Sequence, residues 1–142
     1  MAELRLSSER RGESMVVAAA GELDIVTSPR LDEQLGRARR QHRQIVLDLS
    51  AVDFMDTSSL AVIVGHWKWL QSAGGSLLLA GARYRYTKTL WITGLADRLP
   101  MYDSVEDALA ALAEGAAAQG QRTSTATRQA SSSVLDEDSA TT

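Results

Sequence analysis

The sequence predicts an α/β domain with a mixed, largely parallel central sheet of four to five strands and about four helices. Strand-like and helix-like patterns alternate along residues 1–114, as they do in parallel-sheet folds. The chain has 142 residues, 44% hydrophobic and 23% charged, which is ordinary for a globular protein with one core. From Gly115 onward only Val134 and Leu135 are large and apolar. Residues 115–142 are therefore predicted to be a disordered, low-complexity tail.

The first part of the domain supplies strands on either side of a helix. An apolar run predicts a strand at residues 15–24, with room for a preceding strand at 3–6. A helix is predicted over residues 27–40, because Ser28 suits the N-cap and Pro29 suits the first turn. The next strand is predicted at residues 44–50.

The second helix is predicted at residues 57–71, because its apolar side chains fall at helical spacing. Trp67 belongs to this apolar stripe and is expected in the core. Trp69 falls off the stripe, so it is expected to be exposed and is a candidate for a partner surface. Gly74 or Gly75 suits the left-handed position after the helix.

Four further elements complete the alternation. They are a strand at residues 76–81, a short helix at 85–94, an edge strand at 98–102 and a closing helix at 103–112. Pro100 removes a hydrogen-bond donor, which favours the edge position for the last strand. Asp103 and Glu106 are expected to cap the closing helix.

Composition excludes several classes of function. The net charge of -3 gives no electrostatic footprint for direct nucleic-acid binding. Cysteine is absent and the two histidines have no helpful spacing, so neither a metal site nor any other cofactor is predicted. No signal peptide and no stretch of about 18 consecutive apolar residues is found, so a cytoplasmic protein without a membrane span is expected.

Three hydroxyls, Thr57, Ser58 and Ser59, follow Asp56 at the predicted start of the second helix. Asp56 or Thr57 can cap that helix, and a helix N-terminus also tolerates a phosphate because its N–H groups are unpaired and its dipole is positive. The cluster follows a strand, on the side of an α/β sheet where ligands bind. The cluster is therefore read as a cap, as a catalytic nucleophile or as a site that a kinase modifies.

Two enzymatic alternatives are weaker. A nucleophilic serine needs a neighbouring base, and neither His42 nor His66 has a spacing that suggests a catalytic triad. An aspartate, Asp48 or Asp56, could accept a phosphoryl group as in a response-regulator receiver. The two lysines lie in helix-like segments rather than after a late strand, which argues against a receiver. No catalytic residue is therefore assigned.

Three segments resemble a known family in order and spacing. They are GELDIVTSPRLDEQL, IVLDLSAVDFMDTSSLAVIVG and LWITGLADRLPMYDSVEDALAAL. The first is similar to the G-E-L-D-x-x-T-x-x-x-L signature of bacterial STAS-domain anti-anti-sigma factors, also called anti-sigma-factor antagonists. The second resembles their D-L-x-x-V-x-F-M-D-S-S-G-L segment and the third their closing region. The likeness extends over about residues 15–112.

The resemblance implies a partner-switching protein without catalysis of its own. Members bind, while unphosphorylated, an anti-sigma factor that is also a serine/threonine kinase of the GHKL type, and so release a sigma factor for transcription. The kinase then phosphorylates the antagonist and the complex dissociates, and a phosphatase resets the cycle. A stressosome-type scaffold is the alternative role within the family, and a weak homodimer stays open.

The resemblance also assigns site residues. Thr57 matches the phosphoacceptor, Ser58 matches the second hydroxyl and is the alternative acceptor, and Asp56 matches the preceding aspartate. Asp24 matches the acid of the other signature loop, which lies beside the acceptor in the family fold. Ser59 replaces the family glycine and adds a third hydroxyl. These five residues are the predicted partner-binding site.

Overall fold

Strands and helices alternate along the chain as predicted. The computed structural model describes residues 3–83, 88, 92, 94 and 98–121. Within these residues the elements are β1 Leu4–Arg11, β2 Ser14–Leu23, α1 Ser28–Gln41, β3 Gln44–Met55, α2 Thr57–Ser72, β4 Ser76–Ala80, β5 Met101–Tyr102 and α3 Val105–Gln121. The α/β class is therefore confirmed, whereas the short helix predicted at residues 85–94 lies largely outside the described residues.

The five strands form one mixed sheet in the order β1-β2-β3-β4-β5. β1 is antiparallel to β2, and the three remaining pairs are parallel. Parallel strands end at the same edge of a sheet, so the segments that follow β2, β3 and β4 share one edge. The edge strand predicted at residues 98–102 is confirmed as β5, which has two residues, Met101–Tyr102, and within the described part of the chain pairs with β4 alone.

One hydrophobic core joins the sheet to α1 and α2. α1 packs on β2 and on α2, and α2 packs on β4. Alternate strand residues face these helices, as the period of a strand requires. The fully buried large side chains of this core are Leu23, Leu31, Leu35, Ile45, Leu47, Leu49, Ile63, Leu70, Leu77, Leu79 and Val17. Trp67 is buried and Trp69 is 44% exposed, which confirms both expectations.

The start of α1 differs from its prediction. Ser28 is the first helical residue rather than the cap, and the N-cap is Thr27, which makes no side-chain capping bond. The hydroxyl of Thr27 instead donates to the carbonyl oxygen of Glu22 at 2.7 Å and accepts the N–H of Asp24 at 2.9 Å. The prediction that Ser28 caps the helix was therefore wrong, because the preceding turn uses the side chain of Thr27 for its own closure.

The cap of the last helix lies one residue later than predicted, and the helix begins at Val105. The hydroxyl of Ser104 accepts the backbone N–H of Asp107 at 3.1 Å, so the capping pair is Ser104 with Asp107 rather than Asp103 with Glu106. The helix continues to Gln121, past residue 114, through an alanine-rich stretch that has high helix propensity.

Chain packing separates two units, Met1–Leu109 and Ala110–Thr142. The first contains the sheet, α1, α2 and the start of α3. Of the second, residues 110–121 are described, as the remainder of α3. Residues 122–142 lie outside the described residues, so the division into a domain at 1–114 and a tail at 115–142 stays a prediction.

Gly21 carries a testable constraint at the end of β2. Its φ is +111°, and an added Cβ would lie 2.3 Å from the backbone oxygen of Glu3. Gly21→Ala should therefore cost roughly 2–5 kcal/mol of unfolding free energy, the sum of positive-φ strain and a clash that the backbone must relieve. Urea denaturation measures this change.

Gly12 provides the matched control. Its φ is +64°, but an added Cβ meets nothing within 4 Å. Gly12→Ala should therefore cost only the backbone strain, about 1–2 kcal/mol. Equal losses in the two variants would show that the contact between Gly21 and Glu3 is unimportant.

Candidate functional site

The ends of β2 and β3 place two turns side by side. Leu23 is the last residue of β2 and lies opposite Met55, the last residue of β3. One residue further, the N–H of Asp56 donates to the carbonyl oxygen of Leu23 at 3.0 Å. The turn at residues 24–27, called here the β2 turn, therefore adjoins the β3 turn at residues 56–59, at the edge where parallel sheets bind ligands.

Asp56 is the N-cap of α2, the first of the two residues, Asp56 and Thr57, that the sequence offered for this role. Its Oδ1 accepts the backbone N–H groups of Ser58 at 3.0 Å and Ser59 at 3.3 Å, and the Ser58 hydroxyl at 2.5 Å. The backbone N–H of Ile25, in the β2 turn, also helps to lower the pKa of this carboxylate. The carboxylate therefore fixes the start of α2, while the backbone N–H of Asp56 ties that start to the end of β2.

These hydrogen bonds set the pKa of Asp56. Partial burial is the largest single influence and raises the pKa, because it disfavours the charged form. The hydrogen bonds from the Ser58 hydroxyl and from the N–H groups of Ser59, Ser58 and Ile25 together outweigh it, so the pKa lies below the ordinary aspartate value. The carboxylate is therefore ionised at neutral pH and adds a negative charge beside Thr57.

The three hydroxyls of the cluster have different environments. Thr57 is exposed at the first position of α2. Ser58 is half-buried and its hydroxyl donates to Asp56. Ser59 is fully buried at 0% exposure, and its Oγ finds no hydrogen-bond partner within the described part of the chain. Of the three, Thr57 is therefore the hydroxyl most accessible to another protein.

Asp24 organises the β2 turn. Its Oδ1 accepts the backbone N–H groups of Val26 at 2.9 Å and Thr27 at 3.0 Å, and its backbone oxygen accepts the N–H of Ser28 at 2.7 Å. This geometry is an aspartate turn closed by its own side chain. Asp24 thus has a structural role that the sequence interpretation did not include, and its predicted role in partner binding stays a prediction.

The sequence interpretation missed two apolar residues at this site. Ile25 and Val26 are 74% and 72% exposed at the tip of the β2 turn. The signal lay in the sequence: two β-branched apolar residues stand between the turn-forming Asp24 and Thr27, where a turn usually carries polar or small residues. Phe54, 49% exposed, lies near the end of β3, opposite Glu22.

The remaining candidate residues lie elsewhere. Asp48 is within β3, opposite Ala18 and Ala80, and its carboxylate accepts the N–H of Ser50 at 3.0 Å. His66 is buried on α2 and its Nε2 lies 2.7 Å from a carboxylate oxygen of Asp32 on α1. That pair links the two helices and places no base beside the hydroxyl cluster.

Two features are absent from the described residues, a metal-binding cluster and a membrane-spanning helix. No group of three or more histidine, aspartate or glutamate side chains there is placed to hold a metal ion. No helix among those residues has the length and apolar character needed to cross a membrane.

Comparison with known proteins adds a family likeness. Residues 5–108 match the model of the STAS domain. The anti-sigma F factor antagonist of Paenibacillus polymyxa is 34% identical over 111 residues, which span 77% of this chain and 95% of that protein. The anti-sigma-B factor antagonist of Bacillus subtilis is 37% identical over 81 residues, covering 57% of this chain and 74% of that protein.

Solved structures have the same fold. An anti-sigma factor antagonist from Mycobacterium paratuberculosis superposes with a TM-score of 0.71 at 26% identity, over 77% of this chain and 93% of that one. The antagonist SpoIIAA in its unphosphorylated form gives a TM-score of 0.67 at 20% identity, over 78% of this chain and 97% of its own. The Bacillus SpoIIAA structure in the phosphorylated form gives a TM-score of 0.61 at 21% identity, over 76% of this chain and 99% of that one.

Asp56 generates a prediction about pH. Asp56→Asn keeps a capping oxygen but removes the charge, so it should lower the unfolding free energy at neutral pH. The folded-state pKa lies below the unfolded value of about 3.9, so this contribution is present above about pH 4 and is lost as the pH falls through the folded-state pKa. Urea denaturation from neutral to acidic pH should show the difference between wild type and variant shrinking in acid.

The control for this experiment is Asp53→Asn, which removes an exposed charge from β3, the strand that precedes Asp56. It should destabilise the domain less than Asp56→Asn at neutral pH. A difference between wild type and Asp56→Asn that stays constant down to acidic pH would contradict the role assigned to the Asp56 carboxylate.

Ser58 and Ser59 form a second matched pair. Ser59→Ala should raise the unfolding free energy by about 1 kcal/mol. The substitution removes a buried hydroxyl that has no hydrogen-bond partner among the described residues. Ser58→Ala should lower it by about 1–3 kcal/mol, because the hydrogen bond to a charged carboxylate is lost. Chemical denaturation of both variants measures these changes. A loss of stability in Ser59→Ala together with a gain in Ser58→Ala would refute the environments assigned to the two hydroxyls.

Proposed function

The chain belongs to the STAS domain family, and from this membership we propose that it is an anti-sigma factor antagonist, a regulatory binding protein without catalysis of its own. The family match covers residues 5–108, and the chain spans 95% of an antagonist to which it is 34% identical. In this proposal it binds an anti-sigma factor and thereby releases a sigma factor for transcription in the cytoplasm.

The regulation that we propose is phosphorylation of Thr57. The observation that carries it is the unequal exposure of the three hydroxyls: Thr57 is exposed, Ser58 is bonded to Asp56 and Ser59 is buried. A kinase must reach a hydroxyl with its own active site, so this pattern favours Thr57 over the alternative Ser58. The enzyme is then the anti-sigma factor itself, a serine/threonine kinase of the GHKL type, and a phosphatase restores the free hydroxyl.

The position of Thr57 lets a phosphate act without unfolding the domain. Phosphorylation adds about -1.5 to -2 charges at neutral pH. The N-terminus of α2 favours negative charge by roughly 0.3–1 kcal/mol, which offsets part of the repulsion from Asp56. A partner surface that covers Thr57 would have to desolvate the new charge, which is costly. The proposed result is release of the partner from an intact domain.

Two alternatives have less support. Phosphorylation of an aspartate would need a free carboxylate at the edge of the sheet, but Asp56 is engaged in capping and Asp48 lies within β3. Phosphothreonine resists hydroxylamine whereas an aspartyl phosphate is cleaved, so this reagent distinguishes the two. A scaffold role of the stressosome type would show instead as assembly into large particles, which light scattering detects.

Variants of Thr57 test the switch. Thr57→Ala should bind the kinase and resist release by ATP, because it cannot accept the phosphate. Thr57→Glu should bind at least roughly tenfold more weakly while keeping the wild-type melting temperature, since an acid at the first helical position suits the dipole. Calorimetric titration and thermal denaturation measure the two properties.

Ser7→Glu is the matched control, because it adds the same charge to an exposed position on β1. It should leave binding unchanged. Mass spectrometry after incubation with kinase and ATP should find one phosphate, on Thr57. A phosphate on Ser58 would mean that the regulatory hydroxyl is Ser58 rather than Thr57. Wild-type binding by Thr57→Glu would refute the proposed regulation.

A further inference from the structure

Two adjacent apolar side chains project from the β2 turn into solvent. Ile25 and Val26 are 74% and 72% exposed, more than the exposed Phe54 and Trp69. Single exposed apolar residues are common, but two successive β-branched ones at the tip of one turn gain nothing from the turn geometry itself. Their exposure needs a reason outside the folding of the domain.

The turn that presents them is held in place. The Asp24 carboxylate accepts the N–H groups of Val26 and Thr27, and the Thr27 hydroxyl bonds to the carbonyl of Glu22. Leu23, the residue before the turn, accepts the N–H of Asp56 at 3.0 Å, which ties the turn to the start of α2. Docking these side chains therefore costs little backbone entropy, which is the condition for an efficient contact.

The two chain segments that form the two turns are acidic. The segments at residues 20–28 and 51–62 contain no lysine or arginine. Their four carboxylates are Glu22, Asp24, Asp53 and Asp56. A surface complementary to this one therefore has an apolar depression for the two side chains, bordered by lysine or arginine.

The acidic segments raise the question of whether a phosphate on Thr57 strengthens or weakens the binding of a basic partner. If charge attraction alone held a basic partner, a phosphate on Thr57 would strengthen the complex rather than release it. Release requires that the phosphate be placed where water is excluded, because a desolvated dianion is costly. Thr57 follows Asp56, whose N–H donates to the carbonyl oxygen of Leu23 just before the β2 turn, so Ile25 and Thr57 lie on adjacent turns that one partner surface can cover.

We propose that Ile25 and Val26 are an apolar anchor that inserts into a basic-rimmed apolar pocket of the anti-sigma factor, and that this anchor makes phosphorylation of Thr57 a signal for release. The inference depends on the proposed function and deepens it, since it assigns specificity and the sign of regulation to two residues of the β2 turn. Asp24 and Asp56 hold the anchor in position, and their charges attract the basic rim.

The test uses the double variant Ile25→Thr with Val26→Thr, in the full chain. Threonine keeps the β-branched shape and removes apolar surface, and both sites are exposed, so the fold should be retained. Dissociation constants for the purified anti-sigma factor kinase of the same organism are measured with the unphosphorylated and the phosphorylated chain. The unphosphorylated variant should bind roughly tenfold to hundredfold more weakly, as loss of a central anchor does.

The decisive quantity is the dissociation constant of the phosphorylated chain divided by that of the unphosphorylated chain. In the wild type, phosphorylation should weaken binding strongly, whereas in the double variant this ratio should fall at least about tenfold, because the remaining attraction is electrostatic. Trp69→Thr removes an exposed apolar side chain from the far end of α2, twelve residues along the helix from Thr57. It should leave the ratio unchanged.

The outcomes separate the two proposals. If the wild type is released by phosphorylation but the double variant keeps the same ratio, the anchor is refuted and the proposed function stands. If Trp69→Thr changes the ratio equally, the anchor is also refuted. If sedimentation shows a wild-type dimer that the double variant loses, the turn is a self-association surface instead. If the wild type binds no such kinase, both proposals fall.

Discussion

Asp56 holds the start of α2 and ties it to the end of β2 at the carboxyl edge of the sheet. Its carboxylate receives the first free N–H groups of α2 and the hydroxyl of Ser58, and its own N–H donates to the carbonyl oxygen of Leu23. Without this carboxylate the first N–H groups of α2 would be unpaired beside the β2 turn. The same hydrogen bonds favour the charged form, which is why the pKa of Asp56 is low.

This arrangement divides the three hydroxyls among different tasks. Ser58 is used to orient Asp56, and Ser59 lies in the interior under the start of α2. Thr57 contributes neither to the core nor to the cap, so its hydroxyl is free for chemistry that leaves the fold intact. The separation of stability from the proposed regulation thus follows from the different directions in which the three side chains leave the first turn of α2.

Apolar periodicity predicted the strands and the three described helices, and the residues before α2 offered Asp56 or Thr57 as its cap, because each of these features depends on residues close in sequence. The caps at Ser28 and Asp103 were wrong by one residue, since several neighbouring side chains can serve and the turn geometry decides among them. The hydrogen bond from the N–H of Asp56 to Leu23 could not be predicted from periodicity. It depends on how β2 and β3 align, which only the assembled sheet determines.

The central claim is that a phosphate on Thr57 acts locally, through the two turns that Asp56 joins. Amide chemical shifts of the isotopically labelled chain, recorded before and after complete phosphorylation by the kinase, test it most directly. The account predicts changes concentrated in residues 24–27 and 55–60, an unchanged pattern elsewhere in the sheet, and loss of kinase binding in the same sample. Shifts spread across the core strands, or a β2 turn that does not respond, would contradict it.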